Sequence, residues 1–215
     1  MSRTGRWMVV VVVIFVALGV AFWRQLGDDG TSAEPQHQAS AREHRDVDTA
    51  EALAGPRAKA DLAPCPPPGP DSGPPELRGV TLECAGDGSP VDVARAVEGR
   101  ATVLNLWAYW CGPCADELPA MAEYQKRLGS TATVLTVHQD ENETAALERL
   151  AELGVRLPTL QDGQRRVAAA LQVPNVMPAT VVLRSDGTVA KILPRSFASA
   201  DEIAAAVNPL IGVRG

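Results

Sequence analysis

The chain has 215 residues, which is enough for one ordinary domain plus additional segments. Its net charge is −6, so it lacks the excess of basic residues that a nucleic-acid-binding face requires. The sequence also has no glycine-rich loop of the kind that cradles phosphate groups. These features argue against nucleic-acid and nucleotide binding.

The N-terminal residues 1–25 predict a transmembrane signal-anchor. Arg3 and Arg6 precede an uncharged apolar run from Met8 to Trp23, which is at the short edge of what spans a hydrocarbon core of about 30 Å. Basic residues ahead of the run indicate that the rest of the chain crosses the membrane. A cleaved signal peptide is the alternative, and it exports the remainder equally well. We therefore expect a single-pass protein of the cell membrane with its main domain on the extracytoplasmic side.

Residues 26–75 predict a flexible, proline-rich linker. They mix charged residues with Ala, Ser and Gly, and they end in a proline cluster between Pro66 and Pro75. Such a composition buries too little apolar surface to offset the entropy of ordering the chain. We expect at most a transient helix in the stretch DVDTAEALAG, and a tether that holds the domain off the membrane.

An α/β pattern runs through residues 76–213. The stretches GVTLEC and PVDVARAV predict short strands, or in the second case a strand and a turn of helix. The run RATVLNLWAY is apolar almost throughout, which is typical of a central strand covered on both faces. A helix follows from the cysteine motif to about Leu128, and ATVLTVH then predicts a second buried strand.

The second half of this region predicts two helices, a hairpin and a final helix. The stretch DENETAALERLAELG has Asp140 and Glu143 spaced as a variant capping box, and Gly154 at its C-terminal end. DGQRRVAAALQV predicts the next helix, and ATVVLRSDGTVAKIL a hairpin that turns at residues 185–187. SADEIAAAVNPLI closes the chain as a helix. The expected fold class is α/β, with a central mixed sheet flanked by helices.

The stretch NLWAYWCGPCADELPAM places Cys111 and Cys114 two residues apart after the central strand. Structural zinc needs four ligands, and the other cysteines and histidines offer no second pair, so we expect no metal. Covalent haem attachment requires a histidine directly after the second cysteine, where this chain has Ala115. A helix that begins inside the motif directs its positive end at the Cys111 sulfur, which favours the thiolate. We expect a redox-active disulfide and no further cofactor, with Cys111 attacking and the more buried Cys114 resolving.

Three neighbours of the cysteines support this interpretation. Pro113 suits a first helical turn, where a missing N–H costs nothing. Gly112 keeps the approach to the sulfur open. Alternation along the preceding strand is expected to bury Trp107. Trp110 is expected beside the sulfur as an exposed apolar landing surface for a substrate, with a place in the core as the alternative.

The motif NLWAYWCGPCADELPAM, together with NVMPATVVL, resembles the thioredoxin superfamily, and in particular its membrane-tethered TlpA/ResA branch. The resemblance covers roughly residues 77–213 and implies a thioredoxin-like fold. It implies that Pro178 forms a cis peptide bond facing the cysteines, so that Met177 offers its backbone to an extended substrate segment. It also implies that Glu117 accepts a proton from the resolving cysteine, with Asn105 where cytosolic thioredoxins have an aspartate. A solvated helix glutamate is the alternative for Glu117.

The same resemblance implies a thiol–disulfide oxidoreductase that reduces disulfides in exported client proteins, with apocytochrome c as one candidate. It further implies recharging by a membrane electron donor of the CcdA/DsbD type. The alternatives are an oxidant that forms disulfides and a redox-inactive, tethered binding module. Cys65 and Cys84 remain after the motif is assigned, and unpaired thiols seldom persist outside the cytoplasm. We expect them to form a structural disulfide, with a regulatory redox pair as the alternative.

Overall fold

The computed structural model describes residues 48–70 and 73–213. The predicted signal-anchor, residues 1–25, and the predicted linker up to residue 47 lie outside the described residues. Within the described ranges, no helix combines the length and the apolar character that crossing a membrane requires.

A seven-stranded sheet organises the described residues. Its strands are β1 (Thr81–Cys84), β2 (Pro90–Asp92), β3 (Ala101–Trp107), β4 (Ala132–His138), β5 (Thr159–Gln161), β6 (Ala179–Leu183) and β7 (Val189–Leu193). The helices are α1 (Ala50–Ala60), α2 (Val93–Ala96), α3 (Gly112–Leu128), α4 (Glu143–Leu153), α5 (Arg166–Ala170) and α6 (Ala200–Ile211). The strand order is β2-β1-β5-β4-β3-β6-β7, in which β4 is parallel to both β3 and β5 and the other pairs are antiparallel. The predicted α/β class and mixed sheet are confirmed.

Alternation along the central strands builds two cores, one on each face of the sheet. Every residue of β3 is buried, as expected for a strand covered on both sides. Val103 and Trp107 point to the face that carries α3 and α6, whereas Leu104 and Leu106 point to the face that carries α2 and α5. Asn105 has the same parity as Val103, so its side chain faces α3.

Two local features of the second half differ from the sequence prediction. The strand β5 was not predicted, because three residues in RLPTLQ are too short to show a periodicity. The capping box assigned to Asp140 and Glu143 is wrong: Asn142 caps α4, and its side chain accepts a hydrogen bond from the Ala145 N–H at 2.9 Å. Gly154 ends α4 in the left-handed conformation, as predicted.

The prediction of a flexible linker is wrong for residues 48–70. Residues 50–60 form α1, whose Leu53 and Ala60 are buried in a small core shared with Leu147 of α4. Arg57 binds Glu143 at 2.9 Å, and it also pairs with Glu83 of β1. A few long-range contacts order this segment, which we call the N-terminal arm (residues 48–65). Composition alone cannot show such contacts.

A disulfide joins the end of this arm to the sheet. Cys65 is bonded to Cys84 of β1, with 6.0 Å between the two Cα atoms. The predicted pairing of these two cysteines is therefore present. Cys84 is buried and Cys65 is half-buried. The bridge fixes the proline-rich segment against the first strand, and the packed domain begins near residue 48 rather than at 76.

Candidate active site

The cysteine motif lies where β3 passes into α3. Cys111 is the N-cap of α3, and its sulfur accepts a hydrogen bond from the Cys114 N–H at 3.3 Å. The two cysteines form a disulfide with a Cα–Cα distance of 5.3 Å. Pro113 occupies the first turn of the helix, where its missing N–H leaves no backbone bond unmade. On reduction, the Cys111 sulfur would remain at the positive end of the helix, which stabilises a thiolate.

The two sulfurs differ in their access to solvent. Cys111 keeps 6 % of its surface exposed, and Cys114 is completely buried. An incoming group therefore meets Cys111 first, although Cys111 is less open than the sequence predicted. A Cβ added at Gly112 would meet no atom within 4 Å, so the protein itself does not require a glycine there. Any constraint on Gly112 would come from a molecule that approaches the sulfur.

Glu117 is buried beneath the motif. It lies three residues after Cys114, so both side chains project from neighbouring positions on one side of α3. Its carboxylate accepts hydrogen bonds from Asn105 Nδ2 at 2.7 Å and from the Phe197 N–H at 2.9 Å. Burial raises the pKa of Glu117 from 4.5 to about 7, against the lowering effect of these two bonds. The alternative of a solvated helix glutamate is wrong.

The segment before β6 completes the surroundings of the cysteines. The Met177–Pro178 peptide bond is cis, as the resemblance implied. Pro178 is buried, and Met177 is half-buried against the core that contains both cysteines. Because β6 pairs with β3 from Ala179 opposite Leu106, this segment lies beside the end of β3 from which the motif follows.

Trp110 forms an exposed apolar surface next to Cys111. It keeps 59 % of its surface exposed, and its indole Nε1 donates a hydrogen bond to Asp140 Oδ2 at 2.9 Å. Trp107, three residues earlier at the end of β3, is fully buried. The predicted contrast between a buried and an exposed tryptophan is therefore present, and a core position for Trp110 is ruled out.

A buried histidine supports the turn that leads into the motif, and no sequence motif indicated this role. His138 Nε2 accepts a hydrogen bond from the Tyr109 N–H at 3.4 Å, so Nδ1 carries the proton and donates to Gln161 Oε1 at 2.8 Å. Burial lowers the pKa of His138, which favours this neutral form. The signal that could have found it is a run of polar residues, HQD, directly after an apolar strand.

Within residues 48–70 and 73–213, no cluster of three or more histidine, cysteine or acidic side chains could hold a metal ion. The reactive groups that the motif brings together are the two sulfurs and the Glu117 carboxyl group. Together they can exchange a disulfide and move one proton.

Comparison with known proteins matches residues 76–192 to the AhpC/TSA family model. The chain belongs to the AhpC/TSA family. It is 31 % identical over 98 residues to the thiol-disulfide oxidoreductase ResA of Bacillus subtilis (strain 168), a match that covers 45 % of this chain and 54 % of that relative. The chain thus aligns with about half the length of the curated relative. The family match begins after α1 and Cys65, so the N-terminal arm precedes it.

Two solved structures resemble the fold. A secreted thiol-disulfide isomerase from Corynebacterium glutamicum superposes with a TM-score of 0.56 at 24 % identity, over 63 % of this chain and 85 % of that one. DsbF of MTB, in mixed oxidised and reduced forms, gives a TM-score of 0.57 at 24 % identity, over 64 % of this chain and 98 % of that one. At this level of identity they establish the architecture, and the predicted thioredoxin-like fold is confirmed.

Proposed function

We propose that the chain is a thiol–disulfide oxidoreductase that reduces disulfides in exported client proteins. The observation that carries this proposal is the Cys111–Cys114 disulfide at the N-terminus of α3, with the buried Glu117 carboxyl group further along the same helix. Similarity to proteins named thiol-disulfide oxidoreductase ResA supports the same activity.

The geometry suits a two-step exchange. In the reduced protein, the Cys111 thiolate attacks one sulfur of a client disulfide, so that the client bond breaks and a mixed disulfide forms. Cys114 then gives its proton to Glu117 and attacks the Cys111 sulfur. This second step releases the client's remaining thiolate and leaves the Cys111–Cys114 disulfide. Two electrons pass from the protein to the client.

Glu117 is suited to the proton transfer because its pKa, raised to about 7, lies near neutral pH. A carboxyl group of that pKa can take a proton in one half of the cycle and release it in the other. The hydrogen bonds from Asn105 and the Phe197 N–H fix the orientation of the carboxyl group. The complete burial of Cys114 keeps bulk water from replacing Glu117 as the proton acceptor.

The proposed direction is reduction. The dipeptide Gly112-Pro113 is the one found in thioredoxin, which has a potential of about −270 mV, whereas the oxidant DsbA has about −120 mV. Equilibrating the purified protein with glutathione buffers measures the potential of the Cys111–Cys114 pair. A value near that of DsbA would contradict the reducing direction and leave the exchange chemistry intact.

We also propose that the domain works on the extracytoplasmic side of the cell membrane, anchored by residues 1–25 and recharged by a membrane electron donor of the CcdA/DsbD type. The apolar run after Arg3 and Arg6 supports an anchor, and a second disulfide, Cys65–Cys84, is consistent with an oxidising compartment. Apocytochrome c is one candidate client. Membrane fractionation of cells, followed by protease protection of the domain, tests the location.

The activity itself is tested with three variants of the full chain. Cys111→Ser should abolish reduction of insulin disulfides, and Cys114→Ser should accumulate a mixed disulfide that can be isolated and its client identified. The double variant Cys65→Ser/Cys84→Ser is the matched control and should still reduce insulin. Unchanged reduction by Cys111→Ser would refute the role proposed for Cys111, whereas a wild-type chain that reduces no insulin would favour a redox-inactive binding module.

A further inference from the structure

Arg165 has an unusual backbone conformation next to the candidate active site. It lies between β5 and α5 with φ 56° and ψ 35°, in the left-handed region that residues other than glycine rarely adopt. Such a conformation costs free energy and persists where the surrounding structure enforces it. Asp162 does so here: its carbonyl accepts from the Arg165 N–H at 3.0 Å, and its buried carboxylate accepts from the N–H groups of Arg166 and Val167.

The side chain of Arg165 connects two separate loops. Its Nε donates a hydrogen bond to Gln139 Oε1 at 3.2 Å, and its Nη1 donates one to Asn175 Oδ1 at 2.5 Å. Gln139 is buried at the end of β4, and its N–H donates to the Trp107 carbonyl at 2.8 Å. Asn175 lies in the segment that leads to the cis bond before Pro178.

One of these loops binds an exposed apolar side chain, and the other carries one. On one side, Asp140 follows Gln139 and holds the Trp110 indole. On the other side, Val176 follows Asn175 and keeps 39 % of its surface exposed. The described residues include three exposed large apolar side chains. Two of them belong to this arrangement: Val176 lies on one of the loops that the Arg165 guanidinium joins, and Trp110 is hydrogen-bonded to the other loop through Asp140.

We propose that Arg165 is a positioning residue that sets the spacing of the client groove, the surface over Cys111 between Trp110 and residues 175–177. This inference rests on the proposed function and adds a determinant of client specificity to it. A guanidinium presents its donors in a rigid, planar fork, so binding two amide oxygens at once fixes their separation. A lysine ammonium on a flexible stem cannot hold two acceptors in one fixed geometry.

A small disulfide needs only access to Cys111. A polypeptide must also fit into the client groove, between Trp110 on one side and residues 175–177 on the other. The decisive quantity is therefore a ratio: the second-order rate constant of the reduced full chain with insulin, divided by that with hydroxyethyl disulfide. For Arg165→Met, which keeps much of the length of the stem, this ratio should fall about tenfold, which is less than the roughly 100-fold that a 1 Å misplacement of a reacting group can cost. Arg165→Lys should lower it to a similar extent. Arg184→Met is the matched control, since that guanidinium contacts Thr188 in the distant β6–β7 turn, and it should leave the ratio unchanged.

Arg165→Gly separates the backbone from the side chain. Glycine accepts the left-handed conformation without strain, so this variant should melt at a higher temperature than Arg165→Met. It should nevertheless show the same low ratio, because it also lacks the guanidinium. A recovered ratio in Arg165→Gly would show that backbone strain, rather than the bridge, controls the site, and it would overturn the proposal.

Hydrogen exchange provides a measurement that does not depend on activity. Amide exchange in residues 139–141 and 175–177 should be faster in Arg165→Met than in Arg184→Met, because the bridge between the loops is lost. If the wild-type chain reduces neither insulin nor hydroxyethyl disulfide, that result contradicts the proposed function but does not test the role of Arg165. The hydrogen-exchange data then decide whether Arg165 joins the two loops. The proposal is overturned if the exchange is unchanged, if the ratio stays within about twofold of wild type, or if both rate constants fall equally.

Discussion

The substitution Glu117→Gln tests the electrostatics of the site through the stability of the oxidised protein. Burial raises the pKa of Glu117 from 4.5 to about 7, so its carboxyl group holds a proton in the folded protein that it would release on unfolding. One pKa unit corresponds to about 1.4 kcal/mol, and the shift therefore corresponds to about 3 kcal/mol. This stabilisation is fully present below pH 4.5 and is lost as the pH rises through 7.

The glutamine side chain is nearly isosteric and does not titrate. Its amide oxygen can accept the Phe197 N–H, and its amide nitrogen needs an acceptor. Asn105 Oδ1 can provide one after a rotation of the Asn105 amide group, since that oxygen is buried without a hydrogen-bond partner among the described residues. The variant should therefore fold, and it differs from wild type in one ionisable group.

Denaturant unfolding of both oxidised proteins, followed by tryptophan fluorescence, gives the free energy of unfolding at each pH. From about pH 4.5 to about pH 8, wild type should lose about 3 kcal/mol relative to Glu117→Gln. Other titrating groups, including Glu143, are present in both proteins and cancel in the difference. A difference that stays constant within about 1 kcal/mol over this range would refute the assigned pKa of Glu117.

Three further predictions concern the N-terminal arm and the exposed tryptophan. Replacing Cys65 and Cys84 together with serine should lower the free energy of unfolding by about 3 kcal/mol, because the bridge closes a loop with a sequence separation of 19; a loss below about 1 kcal/mol in urea melts would contradict it. Arg57→Met should lower the free energy of unfolding by about 3 kcal/mol at alkaline pH, because it leaves the buried Glu143 carboxylate without its partner. The loss should be smaller at acid pH, because burial raises the pKa of Glu143 to about 7 and the protonated group needs no partner. If denaturant melts show the same loss of unfolding free energy at alkaline and at acid pH, the proposed contribution of the Arg57–Glu143 ion pair is wrong. Trp110→Ala should hardly change the melting temperature, since 59 % of the residue's surface is exposed, but it should slow insulin reduction. A large drop in melting temperature, or an unchanged rate of insulin reduction, would contradict this prediction.

The features of the site that the sequence predicted correctly are local. The start of α3 inside the cysteine motif follows from Pro113 and from the apolar strand that precedes it. The contrast between Trp107 and Trp110 follows partly from the alternation of a strand, which fixes side-chain direction without any knowledge of the fold. The cis bond at Pro178 came from family resemblance, because no rule of local propensity identifies it in advance.

The features that could not be predicted depend on contacts between distant parts of the chain. Arg57 meets Glu143 across 86 residues, and Asp48 meets Thr144 across 96 residues. Each contact involves charged or polar side chains, so neither leaves an apolar pattern in the sequence. The Arg165 bridge is hidden for the same reason, since its partners Gln139 and Asn175 belong to separate loops.

In the sequence, the site is marked most clearly by polar residues that interrupt otherwise apolar strands and helix faces. Asn105, Glu117 and His138 occupy positions where a leucine or valine would fill the core without a hydrogen-bond requirement. Each of them contacts the region of the cysteine motif: Asn105 binds Glu117 beneath Cys114, and His138 binds the turn that precedes Cys111. A buried polar group destabilises a fold unless it has hydrogen-bond partners. Asn105 and Glu117 bond to each other, and His138 bonds to the Tyr109 N–H and the Gln161 side chain. Replacing all three with apolar residues would therefore remove the proposed proton acceptor and the support of the turn together, while favouring the packing of the core.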